Sequence, residues 1–116
     1  MKNMTIYYNP RCSKSRGTLA LLREHGVEPQ VIDYVETPPI ASDLREIVAK
    51  LGITAEQLVR KDEDVFKRKY AEKKLTDEQW IAAMVADPIL IQRPIVIAGG
   101  EAVIGRPPEN VKKLLR

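Results

Sequence analysis

Cysteine, histidine, tryptophan and phenylalanine each occur once in the 116 residues, and aromatic residues make up only 5% of the chain. A lone Cys12 excludes an internal disulfide, and with His25 as the only histidine no zinc or other metal site is expected. No apolar run approaches the ~20 residues that span a bilayer. The first residues also lack the apolar core of a signal peptide. Together these absences suit a reducing compartment, and a cytoplasmic protein is expected. Net charge is small as well, at +3. Lys67, Arg68, Lys69, Lys73 and Lys74 crowd together, but Asp62, Glu63, Asp64 and Glu72 lie among them, which describes a solvated helix face rather than a nucleic-acid surface. What remains, 44% apolar and 30% charged residues, is the composition of a globular chain, expected to form one domain over residues 1–116.

Hydrophobic patterning divides the chain into three parts. Met4 to Tyr8 is rich in strand formers and stops at Asn9-Pro10. A helical pattern runs from Ser13 to about Gly26, which can end it in the left-handed conformation, and Val31 to Tyr34 supplies a second strand, giving a βαβ unit. A helical block follows. Its first helix starts near Ser42, with Leu44, Ile47, Val48 and Leu51 as the apolar stripe and Gly52 as the stop. Thr54-Ala55-Glu56-Gln57 and Thr76-Asp77-Glu78-Gln79 have the spacing of capping boxes, and a weakly helical stretch from Val65 to Tyr70 lies between them. Leu75, Trp80, Ala83 and Met84 are expected in the core, and Asp87-Pro88 closes the block. The last part reads as a hairpin, Pro94 to Ile97 and Ala102 to Ile104 around Gly99-Gly100, followed by a helix that buries Val111, Leu114 and Leu115. The element order is β-α-β, helices, β-β-α, an α/β chain.

Cys12 falls at the first strand-to-helix junction. Exposed N–H groups and the positive end of the helix dipole favour thiolate over thiol there, and Arg11, Lys14 and Arg16 add positive charge. A free cysteine has a pKa of about 8.5, so a fall of ~2 units leaves it largely ionised at neutral pH. The same groups would cradle an anion. A free cysteine can also be an inert small hydrophobe, but proline, arginine, serine and lysine neighbours describe a polar setting. Ser15 stands where a Cys-x-x-Cys motif carries its second sulfur, so a redox cycle at Cys12 must use an external thiol. Ser13 and Ser15 also suit simple helix capping. Arg60, Arg93 and Arg106 form a second candidate group: separately each is an ordinary surface arginine, and together near Cys12 they would clamp a tetrahedral oxyanion. The Arg93–Pro94 bond is open to the cis form. His25 lies 13 residues beyond Cys12, ~20 Å along a helix, too far for a base and well placed for the C-terminal end of the dipole. Gly99-Gly100 lacks the context of a phosphate loop and reads as a turn.

Tyr8-Asn9-Pro10-Arg11-Cys12-Ser13-Lys14-Ser15-Arg16, Tyr34 to Pro39, Leu58-Val59-Arg60-Lys61, Pro88 to Val96 and Ile104-Gly105-Arg106-Pro107 follow one another in an order that resembles the ArsC family of glutaredoxin-linked arsenate reductases. The resemblance covers essentially the whole chain. It implies a thioredoxin-like (glutaredoxin-like) fold with a mixed four-stranded sheet and a helical insertion. It also implies that Cys12 is the nucleophile, that the Ser15 hydroxyl lowers its pKa, and that Arg60, Arg93 and Arg106 bind the oxyanion. The implied reaction reduces arsenate to arsenite, with glutathione as co-substrate, glutaredoxin as partner and no tightly bound cofactor, in a monomer that binds neither nucleic acid nor membrane. Tyr8 stands where these reductases usually carry histidine. Tyrosine can donate a hydrogen bond but carries no positive charge at neutral pH, so Tyr8, Asn9, Arg11, Lys14 and Arg16 are the expected supports of the thiolate. The alternatives are a general glutathione-linked thiol oxidoreductase and an Spx-like regulator that binds RNA polymerase, although Spx-like proteins usually carry the second cysteine that Ser15 replaces.

Overall fold

The computed structural model describes residues 3–115. The chain groups into two units, one running up to Thr37 and resuming at Arg93, the other Pro38–Gln92.

The first unit is built on β1 (Met4–Tyr8), followed by α1 (Ser13–Glu24), β2 (Gln30–Asp33), β3 (Ile95–Ala98), β4 (Glu101–Ile104) and a 3₁₀ segment, Pro108–Leu114. The strands lie in the order β2-β1-β3-β4. β1 runs parallel to β2, with Thr5 opposite Gln30 and Tyr8 opposite Asp33. It runs antiparallel to β3, which is antiparallel to β4. Alternation along β1 puts Met4 and Ile6 on one face beside their β3 partners Ala98 and Val96. That face packs on Leu19 and Leu22 of α1 and on Val111 and Leu114, with Tyr8, Leu21, Val27, Val103 and Leu115 at the margin. Ile6, Leu22, Val96 and Val111 are fully buried. Each buried side chain of this size contributes about 1.5–3 kcal/mol through the water it no longer meets. Gly99 has φ 60° at the first position of the β3–β4 turn, where a two-residue hairpin of the II′ kind requires positive φ.

The last segment was expected to be helical with Val111, Leu114 and Leu115 as its apolar side. It is a 3₁₀ helix, and the reason is in its spacing. With three residues per turn, Val111 and Leu114 lie directly in register and both are buried, whereas Leu115 is only partly covered.

The second unit is helical: α2 (Ala41–Leu51), a 3₁₀ turn at Glu56–Leu58, α3 (Asp64–Lys69), α4 (Asp77–Ala86) and a second 3₁₀ turn, Pro88–Leu90. Both capping boxes form. The Gln57 N–H donates to Thr54 Oγ1 at 3.3 Å while the Thr54 N–H donates to Gln57 Oε1 at 2.9 Å, and Thr76 and Gln79 repeat the exchange at 3.2 and 2.9 Å. The first box opens only a 3₁₀ turn, since Pro- and Gly-free sequence alone does not sustain a helix without an apolar stripe to bury. Leu44 and Ile47 of α2 and Trp80, Ala83 and Met84 of α4 are buried as the stripes require, and Leu75 is half-buried. Phe66 stacks on Trp80 with ring centroids 6.0 Å apart, and Tyr70 tilts against the same ring. Arg45 and Glu78 bridge α2 and α4 at 2.8 Å. Among the described residues, no helix is long and apolar enough to cross a membrane.

Candidate active site

The loop between β1 and α1 is held by its own polar atoms. The Cys12 N–H donates to the Asn9 carbonyl at 2.9 Å, and the Asn9 side-chain oxygen accepts the Arg11 N–H at 3.0 Å. Cys12 is the N-cap of α1, with extended backbone (φ −94°, ψ 121°), and no acidic residue occupies the first turn. The thiol therefore sits over helix N–H groups that have no carbonyl partner of their own.

Ser15 is fully buried one turn into α1. Its oxygen accepts the Asn9 N–H at 3.3 Å, which leaves the hydroxyl proton for the sulfur. Burial works against ionisation of Cys12 and is the largest single influence. Hydrogen bonds from the Ser15 N–H, the Ser15 hydroxyl, the Lys14 N–H and the Arg93 guanidinium together outweigh it and bring the thiol down to about 6. Most of the sulfur is thus thiolate at neutral pH. Substituting Ser15→Ala should raise the thiol pKa by about one unit, since a buried hydroxyl donor to an anion is lost and nothing replaces it. The pH profile of iodoacetamide alkylation checks this: the midpoint should move alkaline from about 6, and an unmoved midpoint counts against a role for the hydroxyl.

Two of the three candidate arginines reach this loop through the sheet. Tyr7 pairs with Ile95 and Ile95 with Ile104, so the entry to β3 and the exit from β4 lie at the same end of the sheet as the exit from β1. Arg93 and Arg106 stand just outside those ends. Arg106 Nη2 is 3.5 Å from Cys12 Sγ, and its Nε donates to the Arg93 carbonyl at 2.7 Å. Arg93 is buried, 8% exposed, and its guanidinium is among the groups that favour the thiolate. Both arginines precede cis prolines, Pro94 and Pro107. Arg60 belongs to the second unit. There the Val59–Ile91 bridge and the Arg60 N–H to Leu90 carbonyl bond fix its backbone, and its guanidinium pairs with Asp62 at 3.2 Å and Glu63 at 3.5 Å.

The expected supports of the thiolate are placed differently from one another. Asn9 shapes the loop through three hydrogen bonds. Lys14 offers the sulfur its backbone N–H, while its side chain is exposed. Arg11 is exposed, and the exposed Arg16 turns its guanidinium onto the Pro10 carbonyl at 2.8 Å. Tyr8 packs its ring at the margin of the core, and no hydrogen bond joins its hydroxyl to Cys12 among the described residues. His25 Nδ1 lies 3.0 Å from the Leu21 carbonyl at the far end of α1. Among the described residues no group of three or more His, Cys, Asp or Glu side chains is placed to hold a metal ion.

Two further residues join the site that spacing alone did not single out. The buried Thr18 hydroxyl donates to the Gly105 carbonyl at 3.4 Å, and Asn110 Nδ2 donates to the Arg106 carbonyl at 3.0 Å. Thr18 had a signal: Ser15, Thr18, Leu19 and Leu22 form one buried helical stripe, and two of the four are polar. Asn110 had none.

A mixed sheet in the order β2-β1-β3-β4, with a cysteine capping the helix that follows the interior strand β1, defines a thioredoxin-like fold, and the loop before that helix carries one thiol. Residues 7–114 match the ArsC family, and the chain belongs to that family. It is 51% identical over 116 residues to the uncharacterized protein YfgD of Escherichia coli (strain K12), covering 98% of each chain. It is 41% identical over 117 residues to an arsenate reductase of Neisseria meningitidis, covering 99% of this chain and 100% of that one. Among solved structures, an arsenate reductase from Vibrio cholerae superposes with a TM-score of 0.92 at 43% identity, over 97% of both chains.

Proposed function

We propose that this protein reduces arsenate to arsenite, with Cys12 as the nucleophile and glutathione and glutaredoxin as the source of electrons. The observation that carries the reading is the Cys12 sulfur, held near pKa 6 at the N-terminus of α1 with the Arg106 guanidinium 3.5 Å away. A thiolate approaching an arsenate anion is repelled unless positive charge is present, and Arg93 and Arg106 supply permanent charge in planar, bidentate form. Arg60 is proposed as the third oxyanion-binding arginine. The side-chain charges of Arg11, Lys14 and Arg16 add field rather than contact, and Tyr8 lines the loop's exit from β1. Arsenate reductases at 41–44% identity across nearly all of this chain support the same substrate.

In the proposed cycle the Cys12 thiolate attacks arsenic, forming the S–As bond as one As–OH bond breaks, and the departing hydroxyl takes a proton from solvent and leaves as water, giving a thiol–arsenate adduct. A glutathione thiolate then attacks the Cys12 sulfur. The S–S bond forms as the S–As bond breaks, and the bonding pair passes to arsenic, taking it from As(V) to As(III), so that arsenite departs. Glutaredoxin removes glutathione from the mixed disulfide and restores the thiolate. The Ser15 hydroxyl assists this step because Cys12 must be a good leaving group as well as a good nucleophile, and a lower pKa serves leaving. The scheme requires a reducing compartment, which is the basis for proposing a cytoplasmic location, and one chain carries every group that the scheme uses, so a monomer is proposed. The test is arsenite formation by the purified protein with glutathione, glutaredoxin, glutathione reductase and NADPH. Turnover that disappears when either thiol component is omitted is expected; arsenate left unreduced by the complete mixture would overturn the proposal. A glutathionylated peptide in the same assay separates arsenate reduction from general thiol exchange, and faster turnover of the peptide would favour the latter.

A further inference from the structure

Asn110 sits in the first turns of the Pro108–Leu114 segment, yet its side chain points back at the strand end. Its Nδ2 donates to the Ile104 carbonyl at 3.2 Å and to the Arg106 carbonyl at 3.0 Å. One amide thus satisfies two carbonyls that bracket Gly105, just where the β3–β4 ladder ends. The same short stretch is tied from two other directions. The Gly105 N–H donates to the Pro94 carbonyl at 2.9 Å, and the Thr18 hydroxyl donates to the Gly105 carbonyl at 3.4 Å.

We infer that Asn110 is a positioning residue for Arg106, fixing the backbone from which that side chain departs so that its guanidinium meets both the Arg93 carbonyl and the Cys12 sulfur. The inference rests on the reading of Cys12 and Arg106 as the reacting thiol and its anion-binding partner. Its physical basis is the length of arginine. A flexible side chain holds two contacts, at 2.7 Å and 3.5 Å, only if its backbone origin does not wander, because every additional orientation it samples in water dilutes that pose. Asparagine suits the task because its NH₂ carries two donors from one short stem. Aspartate would turn two acceptors toward two carbonyls, and an apolar side chain would leave both carbonyls without a donor.

The test is a double-mutant cycle read on the thiol itself. Arg106→Ala should raise the Cys12 pKa by about one unit and Asn110→Ala by about half a unit, measured by thiolate absorbance or alkylation against pH. In the Arg106→Ala background, Asn110→Ala should add nothing, because its effect passes through Arg106. With arsenate as substrate, Asn110→Ala should raise KM about fivefold and change kcat less. A wild-type thiol pKa in a folded Asn110→Ala protein would overturn the inference, and so would the same increment in both backgrounds. Should Asn110→Ala not fold, Asn110→Ser, which can keep one donor, replaces it: a rise of a few tenths of a unit supports the role and an unchanged value overturns it. The absence of arsenate turnover in every variant, wild type included, would refute the proposed activity, while the thiol titration would still decide the role of Asn110.

Discussion

Cys12→Ser should abolish arsenate turnover, by at least about 10³-fold, while leaving the protein folded. Serine is close to cysteine in size, and the site is only half-buried, so packing changes little. The chemistry changes completely. The thiol near pKa 6 is mostly ionised at pH 7, whereas a serine hydroxyl at the same helix end remains protonated and forms no disulfide with glutathione. No other cysteine exists to take over. Removing a covalent nucleophile commonly costs about 10⁴–10⁶ in rate, and the arginines remaining in place account for whatever background persists. The measurement is arsenite released per enzyme in the coupled assay, with circular dichroism as the control for folding. Retention of a tenth of the wild-type rate would mean that Cys12 is not the attacking group.

Gly105→Ala should destabilise the protein by about 2 kcal/mol, because the added methyl group has no room. A Cβ at this position would lie 2.7 Å from Thr18 Oγ1, 2.9 Å from Pro94 Cγ and 3.1 Å from Thr18 Cγ2. Neither neighbour can easily move aside. Thr18 is fully buried in α1, and the Pro94 ring is fixed to the entry of β3. The strain would fall on the residue before Arg106, so the thiol pKa should rise with the loss of stability. Urea unfolding checks the first part, through a lower midpoint at an unchanged slope. A midpoint equal to that of the wild type would show that the close approach at Gly105 is not needed.

The local elements and the helix-end setting of Cys12 were open to reading from the chain because their causes are local. Met4–Tyr8 carries the β-branched and aromatic residues of a strand and is bounded by Asn9-Pro10, and β1 has those same limits. The side chains that form both capping boxes are three residues apart, within reach of each other whatever the rest of the chain does. The helix after Cys12 follows from apolar spacing, and its N-terminus brings the dipole and unpaired N–H groups to the sulfur by construction. Reading the charge around the thiol from neighbouring letters was less informative. Arg11 and Arg16 are close in sequence, yet the loop leaves the one exposed and α1 the other, whereas Ser15 is brought under the sulfur by one helical turn. The C-terminal segment shows the same limit in another form: its apolar residues suited either helix type, and packing of Val111 and Leu114 selected the 3₁₀ form.

Sequence by itself determined a single thiol at the start of a helix, with no second cysteine to pair with it, and a β-α-β, helices, β-β-α order of elements. The tertiary structure alone decided which arginines the thiol meets. Arg106 lies 94 residues from Cys12 along the chain and 3.5 Å from its sulfur in space. The physical reason is strand direction. Because β3 runs antiparallel to β1 and β4 returns antiparallel to β3, the Tyr7, Ile95 and Ile104 row delivers the residues flanking the hairpin to the end of β1 where the helix begins. Hydrogen bonds from Thr18 and Asn110, which no periodicity encodes, then hold the hairpin's exit so that a long, permanently charged side chain points at the thiolate.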